Sequence, residues 1–393
     1  MRLGVVGGGL IGAALANGLH DQGHEVVLVD RSAPAIAQGR LGLDVRSVAL
    51  NPQSQACLAE LGVWSDAKAA MYTGMLVWEE WGQGRIHFEA SEIGAPCLGW
   101  IVENSPLQCE LWHRFAGEIC LGQVEDIVVK DDQTDLQINV EGSGATTLSC
   151  DFVFAVDGAQ SPLRAMLDLP MRLGESSQVG LVSLARTEKP HEGIARQRFL
   201  REGPLALLPS LDPFVVSIVW TQLPESARRR QDLSDDAFGL ELEDAAEHIL
   251  GSIQAVDQRF SIPLQQRLLA NPLVRGRVLF LGDAARVVHP LAGLGANLGF
   301  EDVLDVLAVT AGRDEFCGRI DPWAPFVRRH RTRGQHMLNL LGGLNDFYRQ
   351  MGPWATWIRN LGVAAFDLTK PLKHQVMREA MGVGPISRAG GGG

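Results

Sequence analysis

Apolar residues enter this chain in short runs, and the spacing of the runs changes from one region to the next. Leu3 to Val6 is a continuous apolar run that ends in glycines, and Ala13 to Asp21 follows with helical spacing. A second run, Glu25 to Val29, closes on Asp30. Strand, helix and strand in that order predict a βαβ opening to an α/β domain. Asn51 to Leu61 reads as a helix capped by Asn51. Met75 to Trp78 and Arg85 to Phe88 flank Gly82-Gln83-Gly84, a hairpin signature. Ser105 before Pro106 predicts another helix start, with Ser105 as the cap. Cys120–Lys130, Leu136–Val140 and Thr146–Cys150 predict a β-meander with polar turns. A strand from Phe152 then ends at Asp157.

From about Gln178 the pattern turns to strands without helices. Val179–Arg186, Gln197–Arg201, Leu205–Pro209 and Phe214–Thr221 are separated by glycine, proline and aspartate turns. Helical spacing returns near Ser234–Gly251. Val278 to Leu281 is again a buried strand, and Leu298, Val303 and Leu307 fall on one helix face. Phe326 to Glu379 is helical in pattern, with Met337, Leu340, Leu341, Leu344, Tyr348 and Met351 on one apolar face. The expected fold class is therefore α/β: a Rossmann-like three-layer domain, an inserted mainly antiparallel β domain and a C-terminal helical segment. The first domain takes residues 1–74, 101–177 and 271–325; the inserted one takes 75–100 and 178–270. Residues 326–385 form the C-terminal helices and 386–393 a flexible tail.

Composition narrows the class. At 393 residues the chain exceeds one typical core. Its 46% apolar and 21% charged residues are those of a globular protein. A net charge of -11 argues against a general nucleic-acid binder. The six cysteines show neither C-x-x-C nor metal spacing, so reduced thiols in a cytoplasmic protein are expected, with no metal. The N-terminus has no signal-peptide pattern, and no run of about 18 apolar residues is present to span a membrane. Against the acidic whole, residues 326–379 carry nine Lys and Arg and three Asp and Glu, a local +6. That excess reads either as a solvated basic face or as a contact with anionic lipid.

Two stretches carry candidate chemistry. Gly7-Gly8-Gly9-Leu10-Ile11-Gly12 is G-x-G-x-x-G at a strand-to-helix junction, and Asp30 lies 18 positions beyond Gly12. Gly7 suits a tight turn, Gly9 the approach of a pyrophosphate and Gly12 close helix packing, with Asp30 on a ribose. The second stretch, Gly282-Asp283, puts a carboxylate at a strand's carboxyl end, where α/β sheets bind ligands. Gly293 and Gly295 then precede a helix whose N-terminus favours negative charge.

The string Gly282-Asp283-Ala-Ala-Arg286-Val-Val-His289-Pro290-Leu-Ala-Gly293-Leu294-Gly295-Ala296-Asn297-Leu-Gly299 resembles the second flavin motif of FAD-dependent aromatic hydroxylases related to para-hydroxybenzoate hydroxylase. More narrowly it resembles the ubiquinone-biosynthesis branch, with G-D-A-A-H-x-x-H-P-x-A-G-Q-G-x-N-x-G. Arg286 replaces the first His and Leu294 the Gln. The resemblance runs nearly end to end. It also covers Asp157-Gly158-x-x-Ser161-x-x-Arg164, similar to a D-G-x-x-S-x-x-R motif associated with FAD and NAD(P)H.

The resemblance implies FAD as cofactor, NADH or NADPH as donor, and O2-dependent hydroxylation of a polyprenylated phenol or quinol ring. It implies Arg46 near the flavin and pyrophosphate, and Gln108 reaching the FAD; both also read as plain surface residues. Asp283 would bind the ribityl chain. The loop through Gly293, Gly295, Ala296 and Asn297 would offer N–H donors to the flavin's N1–C2=O edge. Pro290 would shape that loop, and His289 would act on the reacting groups or serve as a structural histidine. Expected partners are the prenylated substrate, O2, other ubiquinone-biosynthesis proteins and an anionic membrane surface, the protein being cytoplasmic and peripheral at the inner face. Alternatives are a soluble small-aromatic hydroxylase, a reductase of the same fold, or a non-catalytic flavin-binding subunit.

Overall fold

A computed structural model describes residues 1–80, 84–174, 178–287, 294–312 and 315–334. The larger part is built on an eight-stranded sheet. Its centre is parallel: Arg2–Val6 lies between Glu25–Asp30 and Phe152–Ala155, with Glu118–Val129 and Val278–Phe280 outside them. These strands are short apolar runs because both faces are covered. On one face Leu3, Val5 and Phe154 pack beneath helices Leu10–Asp21, Asn104–Arg114 and Leu294–Thr310. On the other, Val6, Val27 and Val153 meet Val124, Leu136 and Ile138 of the meander, giving the third layer. The meander itself is Glu118–Val129, Thr134–Val140 and Gly144–Cys150, all antiparallel.

The second large sheet draws on two distant segments. Gly74–Glu79 and Arg85–Glu89 form the expected hairpin, whose residues 82 and 83 lie outside the described residues. Gly74–Glu79 pairs in parallel with Ile194–Leu200. The remaining strands, Gln178–Thr187, Gly203–Pro209, Val215–Gln222, Ile253–Val256 and Phe260–Leu264, are antiparallel to their neighbours. The last two strands carry no clear sequence signal. Phe260–Leu264 contains Pro263 and is mostly exposed, as an edge strand tolerates. Helix Asp235–Ala245 covers one face of this sheet, with the side chain of Ser234 as its cap.

Asn51 caps helix Pro52–Glu60 as expected, accepting from the Ser54 N–H. Ser105 does not cap its helix, which begins at Asn104. The buried carboxylate of Asp44 takes the Ser105 N–H at 2.9 Å, and the Ser105 hydroxyl takes Ala37 N–H instead. A long-range carboxylate thus outcompetes the local hydroxyl. All six cysteines are free, and burial pushes the thiols of Cys57, Cys150 and Cys317 up to about 12.

Residues 324–334 are helical; the rest of the expected C-terminal helices lie outside the described residues. The preceding turn docks by aromatic packing. Phe152 stacks on Trp323 at 5.1 Å, and Phe316 meets both edge-on. Trp323 is fully buried, so Trp323→Ala opens a large cavity beneath the sheet. It should lower unfolding free energy by about 3–5 kcal/mol in urea titration. A loss under about 1 kcal/mol would show that this cluster does not anchor the segment.

Candidate functional site

Because the central strands are parallel, their carboxyl ends share one edge, and each ends in polar chemistry. Arg2–Val6 leads to Gly7-Gly8-Gly9, Glu25–Asp30 ends on Asp30, Phe152–Ala155 leads to Asp157, and Val278–Phe280 leads to Gly282-Asp283. Two neighbouring segments and two distant ones converge there.

In the first loop the glycines have separate reasons. Gly7 has φ +106°, and a Cβ there would meet the Val156 carbonyl at 2.3 Å. A Cβ on Gly12 would lie 1.8 Å from the Gly7 oxygen. A Cβ on Gly9 would meet no described atom within 4 Å, so no described residue fills the space beside it. Gly9 also caps helix Leu10–Asp21 without a side-chain bond, and the first turn has no acid. The first-turn N–H groups therefore face that space without an anionic partner. The loop is braced at Gly8: its N–H donates to Asp30 Oδ2 at 2.5 Å, and its carbonyl accepts from Gln108 Nε2 and Trp112 Nε1, both at 2.7 Å. Among the described residues, the other oxygen of Asp30 has only a long 3.4 Å bond from Ser32 N–H. Gln108 thus reaches the glycine loop itself. Trp112, which no sequence motif singles out, braces the same carbonyl.

Arg46 extends from the neighbouring segment with its side chain 59% exposed, and Asp44 is 3.9 Å away. Asp157 accepts from Leu163 N–H at 3.0 Å through Oδ2, while Oδ1 is buried without a well-formed bond. Burial raises its carboxyl above the ordinary range, against the pull of Ser161 and Leu163. Ser161 caps helix Pro162–Met166 through Arg164 N–H. The buried Arg164 guanidinium donates to the carbonyls of Ala159 and Ala284, both at 2.8 Å. It ties the Asp157 loop to the Gly282-Asp283 turn.

Gly282 has φ +53°, which favours glycine, and its N–H donates to Asp302 Oδ2 at 3.0 Å. Asp283 is reached by solvent yet sits deep enough in protein that its carboxyl is raised by desolvation, with Arg286 pulling the other way. Arg286, buried, pairs with Asp302 Oδ1 at 2.8 Å, donates to the Leu298 carbonyl and meets His330 Nδ1 at 2.9 Å. His330 in turn bonds the Leu269 carbonyl at 3.1 Å.

Helix Leu294–Thr310 starts at the same edge. A Cβ on Gly295 would, like that on Gly9, meet no described atom within 4 Å, and its first turn also lacks acids. The amides of Gly295, Ala296 and Asn297 belong to that turn. The Asn297 side chain is committed to the protein. It accepts from Asn51 N–H and Ser54 Oγ and donates to the Ala49 carbonyl. His289, Pro290 and Gly293 lie outside the described residues. Farther along the helix, Asp305 pairs with Arg329 and Glu301 with Arg333. Two of the arginines in the basic C-terminal count are therefore already neutralised. Among the described residues no helix is long and apolar enough to cross a membrane, and no acid, His or Cys cluster could hold a metal.

Residues 1–309 match the family described as FAD binding domain. The chain is 30% identical to 3-demethoxyubiquinol 3-hydroxylase of Escherichia coli (strain K12), covering 97% of this chain and 98% of that protein. It is 31% identical to ubiquinone hydroxylase UbiL of Rhodospirillum rubrum, over 96% of this chain and 89% of that one. In shape it is similar to p-nitrophenol 4-monooxygenase PnpA from Pseudomonas putida DLL-E4, with TM-score 0.77, 18% identity and 98% of each chain covered. It is also similar to Klebsiella pneumoniae HpxO complexed with FAD and uric acid, with TM-score 0.72 and 18% identity over 98% of each.

Two glycines of the first loop separate folding from binding. Gly9→Val should fold, since its side chain enters open space, but weaken FAD binding by roughly tenfold or more. Gly12→Val should not fold, because its Cβ would overlap the Gly7 carbonyl. Circular dichroism and flavin fluorescence titration measure the two outcomes. Wild-type FAD affinity in Gly9→Val would put the dinucleotide elsewhere.

His330 gives a pH signature. Burial, aided by the Arg286 charge, holds its pKa down at about 4, against about 6.5 for an exposed histidine. As pH falls, the unfolded chain takes up this proton first, so the native state loses stability between about pH 6.5 and pH 4. From pH 7 to pH 5 wild type should lose about 2 kcal/mol more in urea unfolding than His330→Asn. The Asn amide oxygen keeps Arg286 paired, and carboxyls raised by burial are common to both proteins. Equal losses would show that His330 titrates normally.

Proposed function

Because the chain belongs to the FAD binding domain family and, within it, to the hydroxylases of ubiquinone biosynthesis, we propose a function on that premise. The protein is an FAD-dependent monooxygenase that uses NAD(P)H and O2 to hydroxylate an aromatic ring of ubiquinone biosynthesis. One observation carries the reading from the structure's side: Gly9, Asp30, Asp157 and Asp283 share one sheet edge, beside two helix starts whose first glycines no described atom crowds.

The residues at that edge fit FAD. Gly9 leaves room for a pyrophosphate at an uncapped helix start, and the exposed guanidinium of Arg46 would supply a cation to it. The second oxygen of Asp30 is left to a ribose hydroxyl. Asp283 would accept from the ribityl chain, and the first-turn amides of Gly295, Ala296 and Asn297 would face the flavin ring. Bound FAD supplies hydride acceptance from NAD(P)H and activation of O2. The protein's part is to orient, to exclude water and to meet developing negative charge with N–H groups. Arg286, where the family string has a His, is a buried hydrogen-bond donor and takes no part in moving protons. His289 and Pro290 stay proposals from the resemblance alone.

The finer reading is a substrate with an isoprenoid tail and a transient contact with an anionic membrane. The relatives' names support a ubiquinone precursor. The remaining basic residues of the C-terminal segment support the lipid contact, now without Arg329 and Arg333. Each buried CH₂ of a tail adds about 0.8 kcal/mol, so one isoprene unit already outweighs a ring hydrogen bond. Turnover should be at least about a hundredfold more efficient on a farnesylated phenol than on phenol. Vesicles containing anionic lipid should co-sediment the protein at low salt, and less so after neutralising Arg349, Arg359, Lys370, Lys373 and Arg378. Equal efficiency on the tail-less ring without vesicle binding would favour the soluble-hydroxylase alternative. Absence of any substrate-stimulated NAD(P)H oxidation would favour the accessory subunit.

A further inference from the structure

The second sheet has two unlike faces. On one, Leu181, Leu205, Leu207, Ile218 and Trp220 are buried against Phe238 and Leu242 of helix Asp235–Ala245. Arg198 belongs to that face, donating to the carbonyls of Asp244 and Ala245 at the helix end. Alternation along the strand turns its neighbour Gln197 to the opposite face. There the strand registers align Val182, Val219, Ala206, Gln197 and Val77 in one row across five strands. The four apolar members are only half-buried, although helix-side residues of the same strands are closed off.

This face looks toward the domain that carries the flavin motifs. Leu184 and Val215 pack with Leu41, Leu43 and Val45, and the Ser217 hydroxyl lies 2.9 Å from that of Ser47. A small recess opens between the two, with Asp44, Ser47, Leu184 and Ser217 in its wall. Gln197 interrupts the apolar row. It is 7% exposed, yet its amide hydrogen-bonds to no described residue. Its amide atoms are not enclosed, so they open onto the space in front of the row, between apolar neighbours. There they can meet a polar group carried by an otherwise apolar ligand. A primary amide both donates and accepts, so it pairs equally with a ring hydroxyl or a ring carbonyl.

We infer that Gln197 hydrogen-bonds a ring oxygen of the substrate, while Val77, Ala206, Val219 and Val182 hold the adjoining apolar part. Gln197 is thus a specificity-determining residue, with no role in oxygen transfer. The inference rests on the hydroxylase reading above and adds the chemistry that selects the ring: an aromatic oxygen at one point of an apolar wall.

The test compares two ligands on the FAD-loaded enzyme, a farnesylated phenol and the farnesylated benzene that lacks the hydroxyl. Binding is read from the change each makes in the flavin spectrum. Wild type should prefer the phenol by about tenfold, the scale of one neutral hydrogen bond. Gln197→Leu should reduce that preference to near one, chiefly by weakening the phenol. FAD content and melting temperature report folding; if Gln197→Leu does not fold, Gln197→Met carries the same comparison. A preference retained in the variant, absent from wild type, or lost through equal weakening of both ligands would overturn the assignment. Failure of both variants to fold would give Gln197 a purely structural role and overturn it too. The underlying reading is checked separately, by product. If wild type hydroxylates neither the farnesylated phenol nor phenol, the hydroxylase reading falls and Gln197 with it. If wild type forms product and the variant keeps its preference, only the Gln197 assignment falls.

Discussion

Much of the site depends on one buried carboxylate. Asp302 is 3% exposed and sits on helix Leu294–Thr310. One of its oxygens holds the N–H of Gly282 and the other the guanidinium of Arg286. A buried ion pair adds little net stability, because desolvation offsets the attraction. Its effect here is geometric. The turn after strand Val278–Phe280 cannot move without breaking a charge-assisted bond, and the same arginine reaches Leu298 and His330. Strand end, helix and C-terminal helical segment are thereby held to a common position. Removing one partner would leave the other charged and unpaired in the core, which typically costs about 3–5 kcal/mol.

A second constraint brings the two helix starts together. A Cβ on Gly18 would meet Leu307 at 2.5 Å, and one on Gly299 would meet Ile11 at 2.6 Å. Glycine at these points lets the helices approach closely. Their N-terminal ends, both without acids, then add their partial positive charge over one small region. Asp157 and Asp283 nearby are held in surroundings that disfavour their charge. The edge is therefore poised for a ligand with both anionic and hydroxyl groups.

The features legible in the sequence are those with local causes. The G-x-G-x-x-G turn, the Asn51 cap, the meander and the Gly282-Asp283 turn each carry their signal within a few residues. What escaped depends on distance. Arg286 stands alone in the sequence as a departure from the family string; its meaning comes from Asp302, 16 residues on, and His330, 44 residues on. Arg329 and Arg333 read as free basic charge until Asp305 and Glu301 are placed opposite them. Ser105 looked like a cap because Asp44 is 61 positions away. Strand Ile194–Leu200 hides its logic best. Arg196 and Arg198 suggest a solvent face, yet both are buried, and Gln197 between them turns toward the flavin domain.

The interleaving of the chain has a consequence for synthesis. Strand Arg2–Val6 is made about 150 residues before its neighbour Phe152–Ala155, and Val278–Phe280 follows more than 120 after that. Gly74–Glu79 must likewise wait for Ile194–Leu200. Until then, apolar strands meant for the centre of a sheet have open edges, which are templates for pairing with other chains. Contacts so distant in sequence slow folding as well. The nascent chain is thus exposed to aggregation for most of its translation. Coexpressed chaperones and slow translation would be expected to raise soluble yield more than any change to the surface of the finished protein.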